Sequence, residues 1–154
     1  MEKSDSLRLE NQLCFPLYAC AREIVKAYRP YLDELGLTYT QYITMMVLWE
    51  ESRVSVKELG RRLHLDSGTL TPLLKKLESK GYLTRERSRE DERVVIACIT
   101  DAGRKIKRAA ASVPRAMGGQ LAGFDAEDSK TLYRLLYQLM ELLEKANGSE
   151  PKKK

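Results

Sequence analysis

The chain has 154 residues, of which 43% are hydrophobic and 32% charged, and a formal net charge of +5, enough for one domain with a core but not for two. It has no run of eighteen apolar residues and no apolar stretch of signal-peptide length near its start, so a cytoplasmic protein is expected, with no membrane among its partners. Three cysteines without a CxxC pair and a single histidine argue against a disulfide framework or a zinc site, and no metal or cofactor is expected.

Charge is unevenly placed. Residues 1–53 carry 6 basic and 8 acidic side chains, 54–108 carry 14 and 8, and 109–154 carry 7 and 6. A positive middle between near-neutral flanks predicts a module that meets a polyanion.

Leu13, Leu17, Ala21, Ile24, Val25, Tyr28 and Leu32 recur at helical spacing and Gly36 follows as a stop, which predicts a first helix over 12–34. Residues 39–51 are apolar almost all round, the pattern of a helix at the centre of a small domain. Ser55 and Glu58 have capping-box spacing and open a short helix over 56–63. Asp66 then caps a second helix, in which Leu70, Leu73, Leu74 and Leu77 share one stripe, Pro72 predicts a bend and Gly81 is the stop.

YLTRER and RVVIACIT read as two strands joined by the charged turn SREDE. Asp101 is expected to cap a further helix, which Pro114, Gly118, Gly119 and Gly123 break. Asp125 opens a last helix whose Leu132, Leu135, Leu136, Leu139, Met140 and Leu143 form a stripe in want of a partner. The PKKK end reads as a disordered tail.

Helix, tight connection, helix and basic hairpin is the order of a winged helix-turn-helix, whose second helix lies in the major groove of double-stranded DNA. The fold class expected is therefore mainly α with a small β-hairpin wing (α+β). Asp66, Ser67, Gly68, Thr69 and Thr71 crowd the start of the second helix, where short polar side chains and free amides reach base edges and phosphates. Lys75 and Lys76 follow as phosphate partners. At the hairpin tip Arg93 can enter a minor groove with Asp91 orienting it, and Arg85, Arg87 and Arg89 extend the basic strip.

The stretch EDERVVIACITDAG resembles the wing signature of the MarR family of bacterial regulators, D-x-R followed by a strand and L-T-x-x-G, met here by Asp91, Arg93, Thr100 and Gly103 with Ile99 in place of the leucine. LENQLCFPLYACAREIVKAY, TYTQYITMMVLWE and LDSGTLTPLLKKLE are similar to the organic hydroperoxide resistance regulator (OhrR) branch. The resemblance covers residues 7–105. It implies a homodimeric repressor, with residues 7–36 and 104–147 as dimerisation helices, 37–103 as the DNA-binding region and 148–154 as the tail. Such a repressor leaves a pseudo-palindromic operator when an organic hydroperoxide oxidises a cysteine near its start.

The cysteine that matches the sensor is Cys14, and the tyrosines that match its contacts are Tyr28 and Tyr39. Cys14 and Tyr28 are fourteen residues apart, roughly 21 Å along one helix, so within a chain they cannot meet and the contact requires a second subunit. Tyr18, one turn after Cys14, is expected to shield it. A thiolate is favoured by free amides at a helix start, and Pro16 places that start close to Cys14. Cys20 is expected in the core, and Cys98 has no sensor surroundings. No cysteine falls between 109 and 130, so the chain resembles the one-cysteine type. Its sulfenate is then capped by a low-molecular-weight thiol or oxidised irreversibly.

Three other readings compete. A MarR-type repressor can be released by a small aromatic ligand, leaving Cys14 incidental. A thiol peroxidase would turn over at Cys14, but His64 is the lone histidine and no base or resolving thiol is apparent. An architectural protein would bind DNA without sequence preference.

Overall fold

Thr38 starts the central helix with a reciprocal cap: its Oγ1 accepts the Gln41 N–H at 3.3 Å, while Gln41 Oε1 accepts the Thr38 N–H at 3.0 Å. Two orphan donors are satisfied at once. The computed structural model describes residues 5–148. Its elements are α1 (Cys14–Asp33), α2 (Tyr39–Glu51), β1 (Arg53–Ser55), α3 (Val56–Leu63), α4 (Ser67–Ser79), β2 (Leu83–Arg87), β3 (Val95–Ile99), α5 (Asp101–Ala110), α6 (Val113–Gln120) and α7 (Ala126–Gly148). Two single turns of 3₁₀ helix, Asp5–Leu7 and Leu9–Asn11, precede α1.

The chain divides after Met117 into two compact units. In the first, α2 is the core helix: Tyr42, Met45, Val47 and Leu48 are buried on it, together with Leu32, Leu59, Leu70, Leu74, Leu77 and Leu83 from the elements around it. In the second, α7 keeps the predicted apolar stripe but buries none of its residues. Asp125 caps it by accepting the Glu127 and Asp128 N–H groups at 2.8 and 3.1 Å. The expected tail lies outside the described residues except for Gly148, which ends α7.

Several local expectations are corrected. Residues 53–55 form a third strand, giving an antiparallel sheet of order β1-β3-β2 with Val54 opposite Ala97 and Arg85 opposite Ala97 from the other side. Ser55 caps α3 through the Glu58 N–H, but the Glu58 carboxylate turns to Arg61 instead of closing the box. Thr100, not Asp101, caps α5, its Oγ1 accepting the Gly103 N–H at 3.1 Å. α5 does stop short of Pro114, at Ala110, but Pro114 then lies in the first turn of α6, where its missing N–H costs nothing, and Gly118 and Gly119 fall inside that helix instead of breaking one. α4 runs unbroken through Pro72; the carbonyl that the proline leaves without a donor belongs to exposed Gly68.

The Thr100–Gly103 pair has a structural reason. A Cβ on Gly103 would stand 2.2 Å from the Tyr82 carbonyl oxygen, far inside contact distance, so only glycine lets α5 approach the α4–β2 connection. Thr100 ties the same place from the other side, donating from its N–H to Tyr82 O at 3.1 Å and from Oγ1 to Gly81 O at 2.5 Å.

Candidate functional site

α3 and α4 are joined by a tight turn in which His64 takes a left-handed conformation, φ 53°, and Asp66 caps α4 by accepting the Thr69 N–H at 2.7 Å. Ser67, Gly68, Thr69 and Thr71 are exposed around that start, and Lys75 and Lys76 are exposed further along. The opposite stripe, Leu70, Leu73, Leu74 and Leu77, is buried. One face of the helix is thus anchored and the other offered.

On the wing the predicted arginines separate into different roles. Arg93 is 91% exposed, and Asp91 holds it by accepting from Nε at 3.0 Å, from Nη2 at 3.2 Å and from the backbone N–H at 3.0 Å. These hydrogen bonds hold the Asp91 carboxyl below the usual carboxylate range. Arg87 donates to the Glu92 carbonyl at 2.9 Å across the hairpin. Arg85 has turned inward to the Glu78 carboxylate on α4, so its charge is matched within the domain. Lysine and arginine spacing carries no sign of such a partner.

Cys14 is the first residue of α1 and is exposed. Few free amides surround this start, because the Phe15 N–H is bound to Gln12 O at 3.2 Å and Pro16 has no N–H. Tyr18, 58% exposed, engages Arg22: its hydroxyl accepts from Nη1 at 3.3 Å and the guanidinium lies 5.6 Å from its ring centre.

Tyr28 and Tyr39, far apart in sequence, pack ring to ring at 5.0 Å. Tyr42, which the sequence reading passed over as core, joins both at 6.0 and 6.5 Å and meets Trp49 edge-on at 6.3 Å. Its spacing of three from Tyr39 on one helix was the available signal. Burial, then the neighbouring phenols, raises the pKa of Tyr39 and of Tyr42.

The other cysteines differ from expectation in one respect. Cys20 is exposed on α1 rather than in the core, while Cys98 is buried on β3, opposite Arg53 in the register and below the Arg53–Glu86 ion pair of 2.6 Å. Among the described residues no cluster of His, Cys, Asp and Glu could hold a metal ion, and no helix is long and apolar enough to cross a membrane.

The chain is 48% identical over 145 residues to the organic hydroperoxide resistance transcriptional regulator of Bacillus subtilis strain 168, covering 94% of this chain and 98% of that one. It belongs to the organic hydroperoxide resistance branch of the MarR family. A profile of the family described as transcriptional regulator SarA/Rot matches residues 26–110. AbfR of Staphylococcus epidermidis is similar in fold: its reduced form bound to DNA superposes with a TM-score of 0.74 at 34% identity, covering 92% of this chain and 99% of that one. Its overoxidised form, also bound to DNA, gives 0.72 at 36% identity with the same coverage. A MarR-family chain is a DNA-binding transcriptional regulator and not an enzyme, and the thiol peroxidase reading of Cys14 falls with that.

Proposed function

We propose that this MarR-family regulator is a cytoplasmic, homodimeric repressor that binds a pseudo-palindromic operator in its reduced form and releases it when an organic hydroperoxide oxidises Cys14. The observation that carries the reading is the placement of an exposed thiol at the head of α1, the helix whose Tyr28 packs onto Tyr39 and Tyr42 of the core helix. A change at α1 therefore has a packed aromatic route into the DNA-binding half. The apolar side chains left exposed on α1 (Phe15, Ile24, Val25) and on α7 (Leu132, Leu135, Leu143) suit burial against a second copy. In that dimer Tyr28 and Tyr39 of one subunit would support Cys14 of the other.

Ser67, Gly68, Thr69 and Thr71 of α4 would read the major groove beside the Asp66 cap, Lys75 and Lys76 would meet phosphates, and Asp91-oriented Arg93, with Arg87 behind it, would enter the minor groove. The Cys14 thiolate attacks the terminal oxygen of the hydroperoxide; the O–O bond breaks, sulfur becomes a sulfenic acid, and the alkoxide takes a proton and leaves as the alcohol. A low-molecular-weight thiol then condenses with the sulfenic acid, forming a mixed disulfide and water. Overoxidised AbfR is found on DNA, which favours the bulky mixed disulfide over added oxygen alone as the form that releases.

The test is binding to the DNA upstream of the protein's own gene, for wild type and Cys14→Ser, before and after a few equivalents of cumene hydroperoxide with a small thiol, and again after dithiothreitol. Reversible release confined to wild type is expected. Release of both proteins, or of neither, would refute the cysteine sensor.

A further inference from the structure

Glu78 lies in the last turn of α4 and receives three hydrogen bonds from one residue of the wing. The Arg85 backbone N–H donates to its Oε1 at 3.0 Å, and Arg85 Nε and Nη2 donate to its Oε2 at 3.2 and 2.8 Å. Arg85 belongs to the inner face of the sheet: it is opposite Ala97, which is itself opposite Val54, and both of these are buried. The two side chains are 26% and 35% exposed, more shielded than an ordinary surface pair, and a guanidinium held at two nitrogens and the main chain has one orientation.

The covalent link between the same elements is short and also tied. It turns through Gly81 at φ +78°, and the Tyr82 N–H returns to Leu77 O at 3.1 Å. Beyond Leu83, which shares the core with the leucines of α4, α4 and β2 are therefore joined through the chain and through a charged side-chain clamp.

We propose that Glu78 is a positioning residue for DNA recognition: its clamp on Arg85 fixes the wing to α4, so that the groove-reading helix and Arg93 meet DNA at one set separation. Arg85 then acts on affinity through Glu78 and not through a phosphate. The proposal rests on the reading of α4 and Arg93 as DNA contacts. Without the clamp the wing pivots about its turn, and the Arg93 contact is diluted over many positions.

The experiment compares wild type, Glu78→Gln, Arg93→Ala and the double variant for binding to the duplex from upstream of the protein's own gene, with thermal melts showing each protein folded. Arg93→Ala is expected to weaken wild-type binding about tenfold, and to weaken the Glu78→Gln protein by threefold or less, because coupled residues are not additive. A merely structural Glu78 would lower the melting temperature and leave the Arg93 effect whole. The exchanged pair, Glu78→Arg with Arg85→Glu, should restore most of the Arg93 effect; Arg85→Lys, which keeps the charge but loses the fork, should behave like Glu78→Gln. A full tenfold Arg93 effect in the Glu78→Gln protein overturns the proposal. No Arg93 effect in wild type instead removes the wing contact itself, and the proposal with it.

Discussion

The indole N–H of Trp49 donates to the carbonyl oxygen of Gly103 at 2.8 Å, fastening the end of the core helix to the first turn of α5. Fifty-four residues separate the partners, so the bond is purely tertiary. Trp49→Phe keeps the ring against Tyr42 but removes the tertiary donor from a carbonyl that keeps its place in the α5 ladder, and should cost about 0.5–1.5 kcal/mol in a urea melt. A variant as stable as wild type would show that this bond contributes nothing net.

Gly103→Ala should be worse. The new methyl meets a backbone oxygen, which cannot swing aside as a side chain can, and the cost expected is about 2–3 kcal/mol, a fall in melting temperature of roughly 5–10 °C for a chain of this length. Calorimetry decides it, and a melting temperature unchanged within a degree would mean that the connection at Tyr82 yields freely.

Acid should loosen the wing first. Glu78, Glu86 and Asp91 are held below the usual carboxylate range chiefly by hydrogen bonds from Arg85, Arg53 and Arg93 respectively. A lowered folded-state pKa gives stability that is present above the unfolded value, about 4, and is lost as pH falls through the folded value. Hydrogen exchange in β2 and β3 should thus stay constant from pH 7 to 5 after correction for intrinsic rates, then lose protection below about pH 4. Glu78→Gln should remove part of that acid dependence, and an identical profile in the variant would count against the assignment.

The Cys98 thiol has its pKa raised, first by burial, with Glu86 adding to the rise and Arg53 opposing it. Iodoacetamide at pH 8 should therefore modify Cys98 slowly in the native protein and quickly in urea, as read by peptide mass. Rapid native labelling at this position would show that the Arg53–Glu86 cover opens readily.

Elements with their own local signals were legible in the sequence. α3 falls where Ser55 puts it, and α4 where Asp66, the leucine stripe and Gly81 do. β1 was not, because three residues have no periodicity; they are a strand only through pairing with β3, more than forty positions away. That Ser67, Gly68, Thr69, Thr71, Lys75 and Lys76 stand exposed on α4 could be read from the leucine stripe opposite them. Which arginine turns inward could not: Asp91 stands two positions from Arg93 and was readable beside it, whereas Glu78 reaches Arg85 only when α4 and β2 fold together. Likewise, Cys20 was assigned to the core by residue type, whereas its face of α1 is uncovered in the single chain.

The strand order β1-β3-β2 leaves two open edges, and open edges invite strand-to-strand aggregation. β1 is only three residues long, and β2 carries Arg85, Glu86 and Arg87 in succession. Brevity guards one border and charge the other. The exposed charges of Glu86 and Arg87 therefore keep free chains from pairing through β2, and replacing Arg87 with valine would give the sheet an apolar edge and lower the protein's solubility for reasons unrelated to DNA.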